Sequence, residues 1–230
     1  MTNYIVATIK PWNIAQFHQH QATLPGNWHL ISEPKQLTVA YLEAIKPKYI
    51  FFPHWSWLVP QSIISQFNCV AFHMTDLPYG RGGSPLQNLI SRGHQDTMLS
   101  ALQMTETFDA GPIYAKQPLS LKGSATEIFQ RSAQLTFEMI TNIVKNEPKP
   151  IPQQGEVTEF KRRTPEQSHI NGEQTLDKIY DLIRMLDADG YPSAFIEHGN
   201  YQLTFSQAKL DGEQLSATVT FSPKTLASTK

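Results

Sequence analysis

The chain has 230 residues, and its 19 Lys and Arg nearly balance its 20 Asp and Glu, which leaves a net charge of −1. Nucleic-acid-binding proteins commonly carry an excess of positive charge, so we do not expect a nucleic-acid partner. No apolar stretch approaches the roughly 20 residues that span a bilayer, and no basic-then-apolar leader opens the chain, which predicts a cytoplasmic protein without a membrane partner. Cys69 is the only cysteine, which excludes an internal disulfide.

Short apolar runs alternate with amphipathic segments up to about residue 145, a pattern typical of a parallel sheet covered by helices. The predicted strands are residues 4–9, 28–31, 49–53, 69–74, 97–104 and 112–121. The predicted helices in the first part lie around residues 14–20, 38–45 and 60–67.

Two later helices have recognisable starts. Ser84 is suited to cap a helix whose first residue is Pro85. Ser124 and Glu127 have the spacing of a capping box, which predicts a long helix that ends near Lys145.

The stretch 146–155 is polar and contains three alternating prolines, which is typical of an inter-domain linker. A helix over 176–186 and three strands at 193–197, 201–208 and 215–221 are predicted after it. The predicted architecture is therefore α/β: a Rossmann-like, mostly parallel sheet with helices on both faces in residues 1–150, followed by a small α+β domain, a helix plus a β-meander, in residues 151–230.

His73 stands where an apolar run ends and a glycine-rich turn begins, which is how a catalytic imidazole is usually held. A structural histidine at a strand end is the alternative. Asp109 lies on a second small-residue turn, flanked by apolar residues that could desolvate it. If the two turns meet, these side chains form an acid–base pair.

Other patterns are less specific. The turn 80–83 lacks the ending of a P-loop, so its glycines either let the backbone approach a ligand beside Arg81 or form an ordinary turn. The aromatic residues of 52–60 either fill core or line a pocket edge. The basic cluster 161–163 either binds phosphate or is solvated. No metal-ligand spacing is present, so no metal is expected.

The run 73–85, with His73, the Leu77-Pro78 step and Arg81-Gly82, together with the turn 109–113, resembles the folate-dependent formyltransferase family. That family includes methionyl-tRNA, glycinamide ribonucleotide and nucleotide-sugar formyltransferases. Segments 160–168, 183–187 and 190–195 resemble the second domain of its longer members. The resemblance implies a Rossmann-like domain that binds 10-formyltetrahydrofolate as formyl donor and passes the formyl group to an amine.

The resemblance also implies site residues. An Asn, a His and an Asp act together in the family, and His73 and Asp109 match the last two. Ala71 stands at the position of the Asn, so Thr75 or a water is expected to replace the missing donor. His73 would stabilise the charge that develops on the formyl oxygen, and Asp109 would move the proton of the attacking amine.

Further implied contacts concern the two substrates. Folate would lie against Trp57, Leu58, Val59, Thr107 and Phe108. The acceptor would lie near Lys10, Trp12, Tyr79, Arg81, Gly82 and Gly83.

The expected acceptor is an amino sugar, free or nucleotide-linked, for surface glycan synthesis, because initiator tRNA calls for a basic surface. Methionyl-tRNA formylation and formyltetrahydrofolate hydrolysis stay open as alternatives. Because Ala71 replaces the family Asn, a non-catalytic folate- or sugar-binding protein is a third. The meander edges and the helix 176–186 could cover either the first domain or a second subunit, so a homodimer also stays open.

Overall fold

A computed structural model describes residues 1–224. Its strands are β1 (Asn3–Ala7), β2 (Asn27–Ile31), β3 (Pro47–Phe52), β4 (Cys69–His73), β5 (Arg81–Gly82), β6 (Asp96–Gln103), β7 (Ile113–Ser120), β8 (Glu159–Phe160), β9 (Ala194–His198), β10 (Tyr201–Asp211) and β11 (Gln214–Pro223). The α-helices are α1 (Pro11–His20), α2 (Val39–Ile45), α3 (Gln61–Ile64), α4 (Pro85–Ser91), α5 (Ala125–Asn146) and α6 (Leu176–Arg184).

The main sheet has six strands in the order β2-β1-β3-β4-β6-β7. The first four are parallel, and β6 and β7 are antiparallel to their neighbours. The predicted mostly parallel sheet is confirmed. Its edge differs: β6 runs antiparallel to β4, and β7 runs antiparallel to β6 because the connection 104–112, which carries Asp109, is too short for a crossover between parallel strands.

Alternating side chains build a core on each face of the sheet. On β1, Tyr4 and Val6 belong to the core covered by α1, α4, α5 and α6, whereas Ile5 and Ala7 belong to the core with α2 and α3. Because a strand buried on both faces needs apolar residues at every position, these strands read as continuous apolar runs. The predicted helices on both faces are confirmed.

Of the two predicted helix starts, the capping box of α5 is confirmed and the capping of α4 is wrong. Ser124 and Glu127 form the expected capping box at the start of α5. Ser84 precedes α4 as predicted, but its expected capping role is wrong: its backbone is left-handed, at φ 50°, and its hydroxyl accepts from the Arg163 N–H at 3.1 Å instead. The segment predicted at 60–67 forms only the single turn α3.

Backbone hydrogen bonds to other strands hold the proline-rich stretch and the residues that follow it in place. Ile151 exchanges two backbone hydrogen bonds with Ile113, at 2.7 and 2.8 Å, and β8 pairs with β5 in the glycine-rich turn. The stretch and the residues that follow it are therefore held against β7 of the main sheet and against the glycine-rich turn.

The C-terminal part contains α6 and the predicted meander β9-β10-β11. Leu182 and Ile183 of α6 are buried in the same core as Leu89 and Ile90 of α4. The division at residue 150 stays a prediction, since both parts contribute to one continuous core. In residues 1–224, no helix combines the length and the hydropathy that crossing a membrane requires.

Candidate active site

His73 lies at the carboxyl end of β4 and is buried, with 8% of the residue exposed. Its Nε2 lies 2.8 Å from the Gly80 carbonyl oxygen. Because a carbonyl oxygen only accepts, Nε2 carries a hydrogen and donates it. The Nδ1 edge is therefore the side of the ring available for chemistry, and it donates only when both ring nitrogens are protonated.

Asp109 faces that edge. Its Oδ2 accepts the Gly82 N–H at 2.9 Å, and its Oδ1 lies 3.6 Å from His73 Nδ1. The structure thus brings together the imidazole and the carboxylate that the sequence singled out. One carboxylate oxygen is held by the backbone, and the other is left facing the imidazole.

The turn that presents Asp109 is tightly constrained. Asp109 has a left-handed backbone, at φ 53°. A Cβ at Gly111 would lie 1.8 Å from the Gln103 carbonyl oxygen, so only glycine allows the turn to close onto the end of β6.

The glycine-rich turn serves the chain's own backbone. Gly80 and Arg81 donate their N–H groups to the Thr158 carbonyl, and Gly83 donates to that of Phe160. A Cβ at Gly82, at φ 103°, would lie 2.5 Å from the Phe160 oxygen. The glycines therefore allow β8 to approach here. The N–H groups of Gly82 and Gly83 already donate to Asp109 and Phe160, and a contact of these residues with the acceptor stays a prediction.

Thr75 and Ala71 flank the imidazole. The Thr75 hydroxyl is fully buried and lies 3.4 Å from the same Gly80 carbonyl, so its role as a replacement donor stays a prediction. Ala71 lies two residues before His73 on β4, on the same face of the sheet. The methyl side chain of Ala71 carries no hydrogen-bond donor.

The loops predicted to bind folate lie beside each other. Gln61, after the 53–60 loop, donates to the Glu106 carboxylate at 3.1 Å, and Glu106 belongs to the turn that carries Asp109. On these loops Trp57, Leu58 and Phe108 are exposed by 46%, 73% and 69%. Thr107 is exposed as well, whereas Val59 is buried in the core.

Lys10 and Trp12 lie in a separate aromatic cluster after β1. The Lys10 ammonium lies 5.4 Å from the Trp12 ring and 5.1 Å from the Tyr191 ring. Burial lowers the pKa of Lys10, and Asp189 opposes that shift. His54 accepts or donates a 2.8 Å hydrogen bond with the Tyr191 hydroxyl, and this bond joins the first part of the chain to the C-terminal part.

Burial lowers the pKa of His54 to about 3, and the charge of Lys10 acts in the same direction. The unfolded chain therefore binds a proton at His54 near pH 6.5, whereas the folded protein does so only near pH 3. The stability that neutral, buried His54 contributes is present above about pH 6.5 and is lost as the pH falls, because protonation then favours the unfolded chain. Between pH 6 and 4, we expect the free energy of unfolding to fall by about 2–3 kcal/mol more than in His54→Gln. Urea unfolding at successive pH values measures both slopes. His18→Gln, at an exposed histidine, is the control, and parallel curves for His54→Gln and the unsubstituted protein would contradict the assignment.

The remaining predicted contact residues have internal partners. The Tyr79 hydroxyl lies 3.0 Å from His94 Nε2. The Arg81 guanidinium donates from Nε and Nη2 to the Gln153 side-chain oxygen, at 3.1 and 2.8 Å. Gln153 was missed from the sequence because it lies in a stretch read as a linker. Residues 1–224 contain no cluster of three side chains that could hold a metal ion.

Comparison with known proteins places this geometry in a family. The chain is 45% identical to a solved structure described as methionyl-tRNA formyltransferase from Clostridium thermocellum, over 97% of this chain and 100% of that chain, with a TM-score of 0.94. The chain belongs to the formyltransferase family. Within this family, residues 165–222 match the methionyl-tRNA formyltransferase C-terminal domain.

More distant relatives agree. Methionyl-tRNA formyltransferase of Rickettsia bellii is 26% identical over 168 residues, 70% of this chain. The match covers 54% of that protein, and this chain spans roughly half to two thirds of the first such relatives. Two further solved structures show similarity of fold alone. HypX from Aquifex aeolicus in complex with tetrahydrofolic acid is 16% identical, with a TM-score of 0.75 over 89% of this chain and 37% of that chain. A sugar N-formyltransferase from Shewanella is 12% identical, with a TM-score of 0.66 over 90% of this chain and 97% of that chain.

Proposed function

We propose that this formyltransferase moves a formyl group from 10-formyltetrahydrofolate to a primary amine, with His73 and Asp109 as its catalytic residues. The observation that carries the proposal is the 3.6 Å approach of His73 Nδ1 to Asp109 Oδ1 at the end of β4. The atoms of both side chains that do not face each other are fixed by hydrogen bonds: His73 Nε2 donates to the Gly80 carbonyl, and Asp109 Oδ2 accepts the Gly82 N–H. Such fixed polar groups act without reorganising during the reaction.

The two residues have complementary tasks. His73, protonated at both nitrogens, would donate from Nδ1 to the formyl oxygen as negative charge develops there. Asp109 would accept through Oδ1 the proton that the attacking amine loses and pass it to the nitrogen that leaves. Since Nε2 is bound to Gly80, the donor atom of His73 in this scheme is Nδ1.

The two neighbouring loops fit a folate. When bound, 10-formyltetrahydrofolate supplies an activated formyl group on a nitrogen leaving group. Trp57, Leu58 and Phe108 expose apolar surface beside the turn that carries Asp109, and exposed apolar side chains in contiguous loops are typical of a ligand site. These three would bind and orient the flat ring system, while Val59 supports the loop from the core. A cytoplasmic location stays a prediction.

For the acceptor, we propose an amino sugar linked to a nucleotide. Two positively charged side chains lie near Tyr191: the Lys10 ammonium lies 5.1 Å from its ring, and the charge of Arg162 opposes the rise that burial causes in the pKa of its hydroxyl. Arg162 also packs against Gly83 of the glycine-rich turn. A pair of cations beside an aromatic ring suits the phosphates of a sugar nucleotide. The near balance of acidic and basic residues over the whole chain favours this compact anion over a long polyanion.

Methionyl-tRNA is the second candidate acceptor. It is favoured by the relative from Clostridium thermocellum, which is described as a methionyl-tRNA formyltransferase. It would use the same phosphate-binding chemistry at Lys10 and Arg162 over a larger surface, so the two acceptors must be separated by experiment.

The experiment offers the protein 10-formyltetrahydrofolate with a panel of dTDP- and UDP-linked amino sugars and, in parallel, charged initiator tRNA. Mass spectrometry detects the added formyl group on each acceptor. Formylated amino sugar supports the lead proposal, and formylated methionyl-tRNA alone replaces it with the second candidate. Release of formate without an acceptor would indicate a hydrolase, and donor binding without any turnover would indicate a binding protein.

A further inference from the structure

We propose that Gln153 is a positioning residue that fixes the Asp109 carboxylate for proton transfer. The proposal has two parts. That Gln153 holds the Asp109 turn in place does not depend on the proposed function, and that this hold supports catalysis rests on that function. Gln153 lies in the proline-rich stretch, 44 residues from Asp109 along the chain.

The Gln153 amide joins two loops through four hydrogen bonds. Its nitrogen donates to the Asp109 carbonyl at 2.7 Å and to the Gly111 carbonyl at 2.8 Å. Its oxygen accepts two N–H groups of the Arg81 guanidinium, at 3.1 and 2.8 Å. Both N–H donors of the amide and both lone pairs of its oxygen are thus committed to this bridge.

The chemistry of the partners determines how the amide is oriented. A guanidinium only donates and a carbonyl only accepts, so the amide oxygen must face Arg81 and the nitrogen must face the turn. A flipped amide would lose all four bonds. The bridge is therefore directional, and a side chain with two acceptor atoms cannot replace it.

The Gln153 bridge lies beside the hydrogen bond that the Gly82 N–H donates to Asp109. Arg81 and Gly82 are consecutive in β5, so Gln153 holds one neighbour while the Asp109 carboxylate accepts from the other. Asp109 has a left-handed backbone, which needs outside support to persist in a residue with a side chain. Without the bridge, the turn can relax and carry Oδ1 away from His73.

Gln153→Glu separates the two arms of the bridge. The new carboxylate keeps the Arg81 arm but places a negative oxygen against the carbonyls of Asp109 and Gly111. The matched control is Gln154→Glu, the same change at an exposed neighbour with no described side-chain hydrogen bond. Gln153→Ala, which adds no charge, tests both arms together, and thermal unfolding checks that each variant folds.

The first readout is the Gly82 amide proton, observed by NMR hydrogen exchange. We expect its exchange to accelerate about tenfold in both Gln153 variants, as for the loss of one hydrogen bond, and to stay unchanged in Gln154→Glu. Unchanged exchange in folded Gln153→Ala and Gln153→Glu would overturn the proposal, whether or not the protein transfers formyl groups.

The second readout is steady-state kinetics with the acceptor found in the panel. We expect kcat to fall by about 10²-fold, since misplacing a catalytic group by about 1 Å has effects of that size, while KM for the formyl donor stays nearly constant. Faster Gly82 exchange with unchanged kcat would overturn the catalytic part. If the unsubstituted protein formylates nothing, the proposed function fails, while the exchange result still decides the structural part.

Discussion

Replacing His73 with Ala should lower kcat/KM for formyl transfer by about 10²–10⁴-fold, and Asp109→Asn should have an effect in the same range. In the proposed mechanism His73 provides the donor at Nδ1, and the methyl side chain of alanine cannot supply it. Asp109→Asn keeps the shape of the side chain and an oxygen for the Gly82 N–H, but removes the charge that, in the proposed mechanism, receives the amine proton. Formyl transfer is measured by mass spectrometry with the best acceptor.

Because the proposed mechanism has the two side chains act on the same step, the effects of the two substitutions should not add. The double variant is expected to be about as slow as the slower single variant. Binding of a folate to each variant, measured by calorimetry, should remain, since the exposed apolar loops are untouched. His18→Ala and Asp96→Asn, at exposed positions, control for loss of an imidazole and of a carboxylate. Full activity in either site variant would remove that residue from the mechanism.

The architecture of the sheet could be predicted because its signals are local. Strands buried on both faces read as apolar runs, and the start of α5 carries a capping box that depends only on Ser124 and Glu127. The antiparallel turn between β6 and β7 was less visible. Its short connection is what sets the direction of β7, and the sequence pattern of a strand is the same in either direction.

The pairing of His73 with Asp109 was predictable for a different reason. Each residue follows an apolar run at a small-residue turn, and loops that follow parallel strands are expected to meet at one edge of a sheet. Because β6 runs antiparallel to β4, with Gln103 opposite Val70, it is the fold of the loop 104–112 that carries Asp109 back to His73. The supports behind the pair were not predictable. Gln153 contacts the Asp109 turn from 44 residues further along the chain, and no local pattern marks such a partner.

The same limit explains the error at Ser84. A serine before a proline satisfies the usual capping pattern, but capping also requires an extended backbone at that residue. Here β8 and the segment after it press against the glycine-rich turn, and Arg163 offers its N–H to the serine hydroxyl. Long-range packing therefore overrode a correct local signal.

Arg184→Leu should destabilise the protein by about 3–5 kcal/mol, because it removes one partner of a buried charged network. Arg184, on α6, is 5% exposed and donates from Nη1 to the carbonyls of Leu121 and Gly123, at 2.6 and 3.0 Å. Its Nε also lies 2.7 Å from Asp181 Oδ1. The substitution would leave two carbonyls and one carboxylate without these donors, where α6 joins the connection between β7 and α5.

Urea denaturation measures this loss as a lower midpoint at constant slope. Lys178→Leu makes a comparable change at an exposed position of the same helix and should shift the free energy of unfolding by no more than about 0.5 kcal/mol. Combining Arg184→Leu with Asp181→Leu should cost less than the sum of the two single changes, because the carboxylate left unpaired by the first is then absent. A loss for Arg184→Leu as small as that for Lys178→Leu would mean that water satisfies the exposed carbonyls and that this contact does not hold α6 in place.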